Sequence, residues 1–159
     1  MKGLEIRAAE PADRDLVFEF IRDLAEYEKL LDKVDASADD IARALFAEHP
    51  RVFCSLAEVD GRPAGFALWF YNFSTFRGRH GIYLEDLFVR PAFRAKGIGK
   101  ALLAHLARRA LADDCSRVEW AVLDWNEPSI AFYKSLGAQP MDEWTVFRLT
   151  GEAMTRLAD

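Results

Sequence analysis

The run Arg94-Ala-Lys-Gly-Ile-Gly-Lys100 is the part of this 159-residue chain best equipped to hold a ligand. It follows an apolar segment, Ile82-Tyr-Leu-Glu-Asp-Leu-Phe-Val-Arg90, and opens into a helix-patterned run near Gly97. A strand that ends in a glycine turn at a helix N-terminus presents backbone N–H groups without intrahelical partners, and the helix dipole there favours negative charge. Gly97 and Gly99 let the backbone come close to a bulky anion, and Arg94, Lys96 and Lys100 add positive charge. The spacing predicts a pyrophosphate-like ligand, with a glycine-capped helix that binds nothing as the alternative for these residues alone. It is not a Walker loop, which needs G-x-x-x-x-G-K-[ST]. Nor is it the dinucleotide fingerprint, since Leu102 stands where the third glycine belongs.

The second chemical feature is a pair of adjacent acids, Glu85 and Asp86, inside the apolar segment. Strand alternation predicts Glu85 and Leu87 on one face and Leu84 and Asp86 on the other. Acids within a buried strand are costly unless paired or used. An ion pair with a neighbouring arginine is the alternative to a chemical role for Glu85, and a structural role is expected for Asp86. Cys54 and Cys115 have no C-x-x-C spacing and read as buried or half-buried thiols. His49, His80 and His105 lack ligand spacing, so no metal is expected.

These groups need elements to position them. Leu4–Ala8 alternates and reads as a strand. After Pro11 and Asp13, the residues Val17, Phe20, Leu24, Tyr27 and Leu31 recur at helical spacing. Ser37, with Asp40 three residues later, suits the N-cap of a second helix carrying Ile41, Leu45 and Phe46, which His49-Pro50 should end. Val52–Val59 and Pro63–Tyr71 read as strands joined at Asp60-Gly61, a hairpin signal. A loop over 72–81, a central strand over 82–89 and a helix over 98–112 are expected next. A strand over 118–123, a helix over 127–136 and a last strand over 144–149 complete the chain. Strands interspersed with helices predict an α/β domain around a mixed sheet, one domain spanning 1–159.

Arg94-x-x-Gly97-x-Gly99 after a strand resembles the acetyl-CoA pyrophosphate loop of the GNAT N-acetyltransferases. Tyr83-Leu-Glu-Asp-Leu-Phe-Val89, Trp125-Asn-Glu-Pro-Ser129 and Phe132-Tyr-Lys-Ser-Leu-Gly-Ala138 fall in the order and spacing of the diamine and thialysine acetyltransferase branch. Leu24-Ala-Glu-Tyr-Glu28 and the tail Gly151-Glu-Ala-Met154 also resemble that branch, so the likeness covers essentially the whole chain. Many relatives carry glycine where this chain has Ala95, a methyl group that is tolerated if the residue does not need φ > 0.

The resemblance implies a GNAT fold, a central mixed sheet splayed into a V with helices on both faces and acetyl-CoA entering the V. It implies cofactor contacts from Arg94, Ala95, Lys96, Gly97, Ile98, Gly99 and Lys100, and from Asn126, Glu127, Pro128 and Ser129. It also implies a bulge in the central strand at Leu87, Phe88 and Val89, whose freed N–H groups would face the thioester and its oxyanion. Tyr133 is implied as the general acid, because a phenol is protonated at neutral pH and can protonate a departing thiolate. Glu85 is implied to orient the amine and accept its proton through water. Tyr27, Glu28 and Glu85, with Asp142 or Glu143, would form an anionic groove for a cationic acceptor.

The diamine enzymes carry an acidic Asp-Pro-Trp before the central strand. This chain has Ser74-Thr75-Phe76, which favours a shorter amine or a lysine-like amino acid. The branch implies a homodimer meeting at the C-terminal strand and tail from Trp144. Net charge is −5, which argues against nucleic acid or an anionic membrane as the main partner. The first residues do not read as a signal peptide, and a reducing cytoplasm is expected. Two other readings stay open: acetylation of a protein N-terminus or lysine, and a CoA-binding sensor without turnover.

Overall fold

The computed structural model describes residues 1–159, which divide into two compact units, 1–121 and 122–159. The first unit holds one five-stranded sheet in the order β1-β2-β3-β4-β5. Its strands are β1 (Leu4–Ala8), β2 (Phe53–Val59), β3 (Arg62–Ser74), β4 (Arg79–Val89) and β5 (Val118–Trp120). All neighbours are antiparallel except β4 and β5, so the sheet is mixed.

Local sequence accounts for several joints. Asp60 and Gly61 have φ of 50° and 73°, the two left-handed residues that a type I′ hairpin requires, and they close β2 onto β3. The expected loop over 72–81 is much shorter. Asn72, Phe73 and Ser74 pair with Gly81, His80 and Arg79, leaving residues 75–78 to turn the chain. The Phe73 and His80 rings meet edge-on at 5.1 Å, a cross-strand contact that helps extend the hairpin.

Helix α1 (Arg14–Tyr27) begins beyond a 3-10 turn at Pro11–Asp13. Arg7 anchors that turn, donating to Asp13 at 2.7 Å and to Glu58 at 2.8 Å. The helix ends at Tyr27, and Lys29 then turns left-handed at φ 61°. Leu31, expected on the helical stripe, therefore falls in a separate 3-10 turn. Helix α2 (Ala38–Leu45) starts at the expected N-cap, Ser37, which forms a capping box with Asp40, and stops at Phe46, its C-cap, short of His49.

Val17 and Phe20 of α1 and Leu45 of α2 pack on Cys54, Leu56, Phe66, Leu68 and Phe88, with Phe20 stacked on Phe66 at 5.2 Å. Fully burying such a phenylalanine contributes about 1.5–3 kcal/mol. Helix α3 (Ile98–Ala112) spans the predicted limits and buries Ile98, Leu102, Leu103, Leu106 and Ala110. It covers the other face, where Arg109 lies over Trp69.

Pairing of β4 with β5 stops at Leu84 opposite Trp120, so β5 is shorter than the expected 118–123. From Asp86 to Val89, β4 is paired on its β3 side only. That is where the sheet splays.

The second unit contains α4 (Glu127–Ser135) and α5 (Gly151–Ala158). Trp144–Leu149, the expected last strand, has no regular structure and belongs to no ladder. Strand-like composition alone cannot make a strand, because its N–H and C=O groups need a partner.

Candidate active site

The glycine turn begins one step after β4. A 3-10 turn at Pro91–Phe93 leads to Arg94, and Gly97 then caps α3 with φ 79° and ψ 8°. A Cβ built on Gly97 would meet nothing within 4 Å, so the glycine answers a backbone demand and open space surrounds it. Arg94, Ala95, Lys96, Gly97 and Lys100 are exposed, whereas Ile98 is buried and pins the start of α3 to the core. Ala95 adopts φ 59°, so the condition under which its methyl group would be harmless is not met. A side chain in the left-handed region costs about 1–2 kcal/mol.

Arg94 does not extend along this turn. Its Nε–H donates to the Val89 carbonyl oxygen at 2.9 Å, and its guanidinium lies over the rings of Tyr27 and Phe88. Lys96 turns its ammonium over Phe93 at 5.7 Å.

The bulge in β4 lies earlier than the expected 87–89. Leu68 pairs with Asp86 and Trp69 with Leu84, which leaves Glu85 as the extra residue; Leu87, Phe88 and Val89 pair regularly with Ala67, Phe66 and Gly65. The facing pattern changes accordingly. Leu84 shares a face with Trp69, whereas Asp86 shares one with Leu68 and the α1–α2 core. The expected common face for Leu84 and Asp86 is thus corrected by one inserted residue.

Burial, then the negative Glu85 and Glu28, pushes the Asp86 carboxyl up to about 7. Burial also raises the Glu28 carboxyl. Glu85 is exposed. The ion pairs of this region fall on Asp13, Glu58, Glu19 and Asp23, and no arginine or lysine pairs with Glu85 or Asp86. Tyr27, at the end of α1, brings its ring 6.5 Å from that of Phe88. Tyr27, Glu28, Glu85, Asp86, Phe88 and Arg94 therefore gather where the end of α1 meets the splayed half of β4.

The other sequence-predicted residues belong to the second unit. Asn126 is 7% exposed and its side chain accepts from the Ser129 N–H at 3.4 Å, which makes it the N-cap of α4. Glu127 and Pro128 are exposed in the first turn of that helix. Tyr133 is half-buried on α4, its ring 5.5 Å from that of Phe132. Asp142 and Glu143 are exposed in a turn closed by the Trp144 N–H to the Met141 carbonyl.

Sequence reasoning did not foresee the surroundings of Asp86 or the Arg94–Tyr27–Phe88 contact. The first had a signal, two acids side by side in an apolar strand. The second had none, because it joins residues 67 positions apart.

A mixed sheet that splays beside a glycine-turn helix, with carboxyls on the splayed strand, is the architecture that the GNAT resemblance implies. The chain matches the acetyltransferase (GNAT) family over residues 16–138 and belongs to that family; it is an acetyltransferase. It is 41% identical to the thialysine N-epsilon-acetyltransferase of Bos taurus, over 99% of each chain. It is 31% identical to an L-ornithine N5-acetyltransferase of Arabidopsis thaliana, over 94% of this chain and 85% of that one. Among solved structures, an integron cassette protein from the mobile metagenome of V. cholerae superposes with a TM-score of 0.81 at 33% identity, over 99% of each chain.

Proposed function

We propose that this acetyltransferase moves the acetyl group of acetyl-CoA to a primary amine of a small cationic molecule, a thialysine- or lysine-like amino acid or a polyamine, by direct attack in a ternary complex. The observation that carries the reading is the carboxyl group of residues Glu28, Glu85 and Asp86 beside the open edge of β4. The names of the bovine and Arabidopsis relatives, which specify small amines, support it.

The glycine turn fits acetyl-CoA, since Gly97 is open on its surface side and heads α3 with free first-turn amides. Acetyl-CoA supplies the activated thioester. Lys96, Gly97, Gly99 and Lys100 receive its phosphates, and Asn126 to Ser129 add a further contact at the start of α4. Tyr133 donates the proton that the departing sulfur needs. Glu28 and Glu85, with Asp142 or Glu143, attract the cation.

An alkylammonium resembles lysine, with a pKa of about 10.4, and must lose a proton before it attacks. Glu85 orients it. Asp86, held near 7, is the base best matched to neutral pH, because proton transfer works best when the acceptor's pKa is close to the working pH. Ser74-Thr75-Phe76 lies at the end of β3 and the start of its short turn, with no acid to hold the far end of a long polyamine, which supports a shorter acceptor.

Cys54 and Cys115 are free and buried, and Cys54 is pushed up to about 12 by burial, so neither is a nucleophile suited to an acyl-enzyme route. Two free thiols also suit a reducing cytoplasm. The protein acts as a homodimer whose second copy covers Trp144 to Leu149, where Trp144 is 73% and Phe147 92% exposed. Trp144→Ser with Phe147→Ser should shift sedimentation toward monomer.

The deciding experiment is free-thiol release from acetyl-CoA across putrescine, spermidine, spermine, thialysine, lysine and a few peptides. The highest kcat/KM on thialysine or lysine is expected. Turnover of peptides alone would transfer the reading to a protein acceptor. Binding of CoA without turnover of anything would make the protein a sensor.

A further inference from the structure

Arg94 is the charged residue of the glycine turn nearest β4, and its side chain is committed elsewhere. One N–H is spent on the Val89 carbonyl oxygen at 2.9 Å. The guanidinium carbon sits 5.1 Å from the centre of the Tyr27 ring and 5.3 Å from that of Phe88. Those rings are tilted 57° to one another, so a cation rests against two π faces at once. The same corner holds carboxyls. Glu28 follows Tyr27 directly, and Asp86 lies two residues before Phe88 on the same face of β4. Two aromatic faces with carboxyls behind them form a receptor for an organic cation, and the cation seated there belongs to the loop that should grip phosphate.

A guanidinium gains more from a bidentate, charge-assisted grip on phosphate oxygens than from ring faces shared with water. We propose that the Tyr27–Phe88 ring pair is the seat of the acceptor's ammonium, that Arg94 occupies it in competition with the amine, and that engagement of the cofactor's pyrophosphate draws Arg94 out. Cofactor binding then opens the amine site, and the order of binding follows from one side chain. This deepens the amine-acetyltransferase reading and rests on it.

Competition of this kind is a coupling between two ligands, and coupling is reciprocal. The test titrates thialysine, and separately spermidine, into the full chain by calorimetry, with and without saturating CoA. CoA carries no acetyl group, so no turnover intervenes. Wild type should bind the amine about tenfold or more tightly with CoA present, within the usual span of such couplings. In Arg94→Ala, at CoA concentrations that saturate the variant, that ratio should collapse toward one, because the amine binds well without CoA. Arg94→Gln removes the charge while keeping a donor for Val89, and should behave alike if the alanine variant does not fold. Tyr27→Leu should weaken the amine in both states, and Tyr27→Phe should restore it.

A wild-type ratio of one overturns the proposal, as does a ratio undiminished in both Arg94 variants. Acetyl transfer to amines that persists alongside either result leaves the broader reading standing. Absence of amine binding in every protein, with no acetyl transfer, removes the reading and this proposal together.

Discussion

Asp86 faces Leu68 across the β3–β4 ladder while Leu84, two residues earlier, faces Trp69, so the two side chains leave the sheet from opposite sides. Glu85 is the inserted residue that produces the switch. One bulge thereby turns the half-buried Asp86 toward the α1–α2 side of the sheet and leaves its neighbour exposed, giving adjacent acids two different environments. Such a split is how two carboxyls acquire separate tasks.

Asp86 should make both stability and activity depend on pH. Between the unfolded carboxyl value of about 3.9 and about 7 in the fold, the folded state keeps a proton that the unfolded chain has lost. Its stabilising contribution is full below the unfolded value, falls as pH rises to about 7, and is level above. Asp86→Asn should therefore match wild type near pH 4 and exceed it by about 1–3 kcal/mol at pH 8, as measured by urea unfolding. The acid limb of kcat/KM should inflect near 7 in wild type and vanish in the variant. If the limb survives in Asp86→Asn and disappears in Glu85→Gln, the proton goes to Glu85.

Ala95→Gly should relieve the left-handed backbone at the glycine turn. The gain of about 1–2 kcal/mol from lost strain is partly offset by about 0.5–1 kcal/mol of added chain entropy in the unfolded state. A net rise of up to about 1 kcal/mol is expected in thermal unfolding. A lower melting temperature would mean that the turn does not hold φ near 59°.

Tyr133→Phe removes one hydroxyl and leaves the ring beside Phe132. If the phenol protonates the leaving sulfur, kcat should drop roughly 10²-fold or more, with acetyl-CoA affinity little changed. An unchanged kcat would take Tyr133 out of the mechanism.

Gly97→Val places a β-branched side chain at φ 79°, where only glycine sits without strain. Acetyl-CoA binding should weaken at least tenfold, because the turn must move to relieve that strain. Normal cofactor affinity in a folded Gly97→Val would put the pyrophosphate elsewhere.

Much of this architecture was readable one segment at a time. Helix α3 follows from its 3.6-residue apolar period and the glycine before it, the α2 start from Ser37 with Asp40, and the β2–β3 hairpin from Asp60-Gly61. Each is encoded within a few residues by sterics or a local hydrogen bond. The family, too, was legible, because its motifs are short and ordered along the chain.

Only the folded chain decided the rest. Whether Asp86 faces the α1–α2 side of the sheet depends on where β3 places Leu68, and no property of residues 82–89 alone announces an inserted residue. Residues 144–149 have the composition of a strand but take no part in a ladder, since a strand exists only where another backbone meets it. Ala95 gained its left-handed backbone, and Arg94 its seat between Tyr27 and Phe88, from the path of the chain between β4 and α3. Local chemistry was written in residue types and their spacing. Register, burial and the partners of charge were not, because each is a relation between segments far apart in sequence.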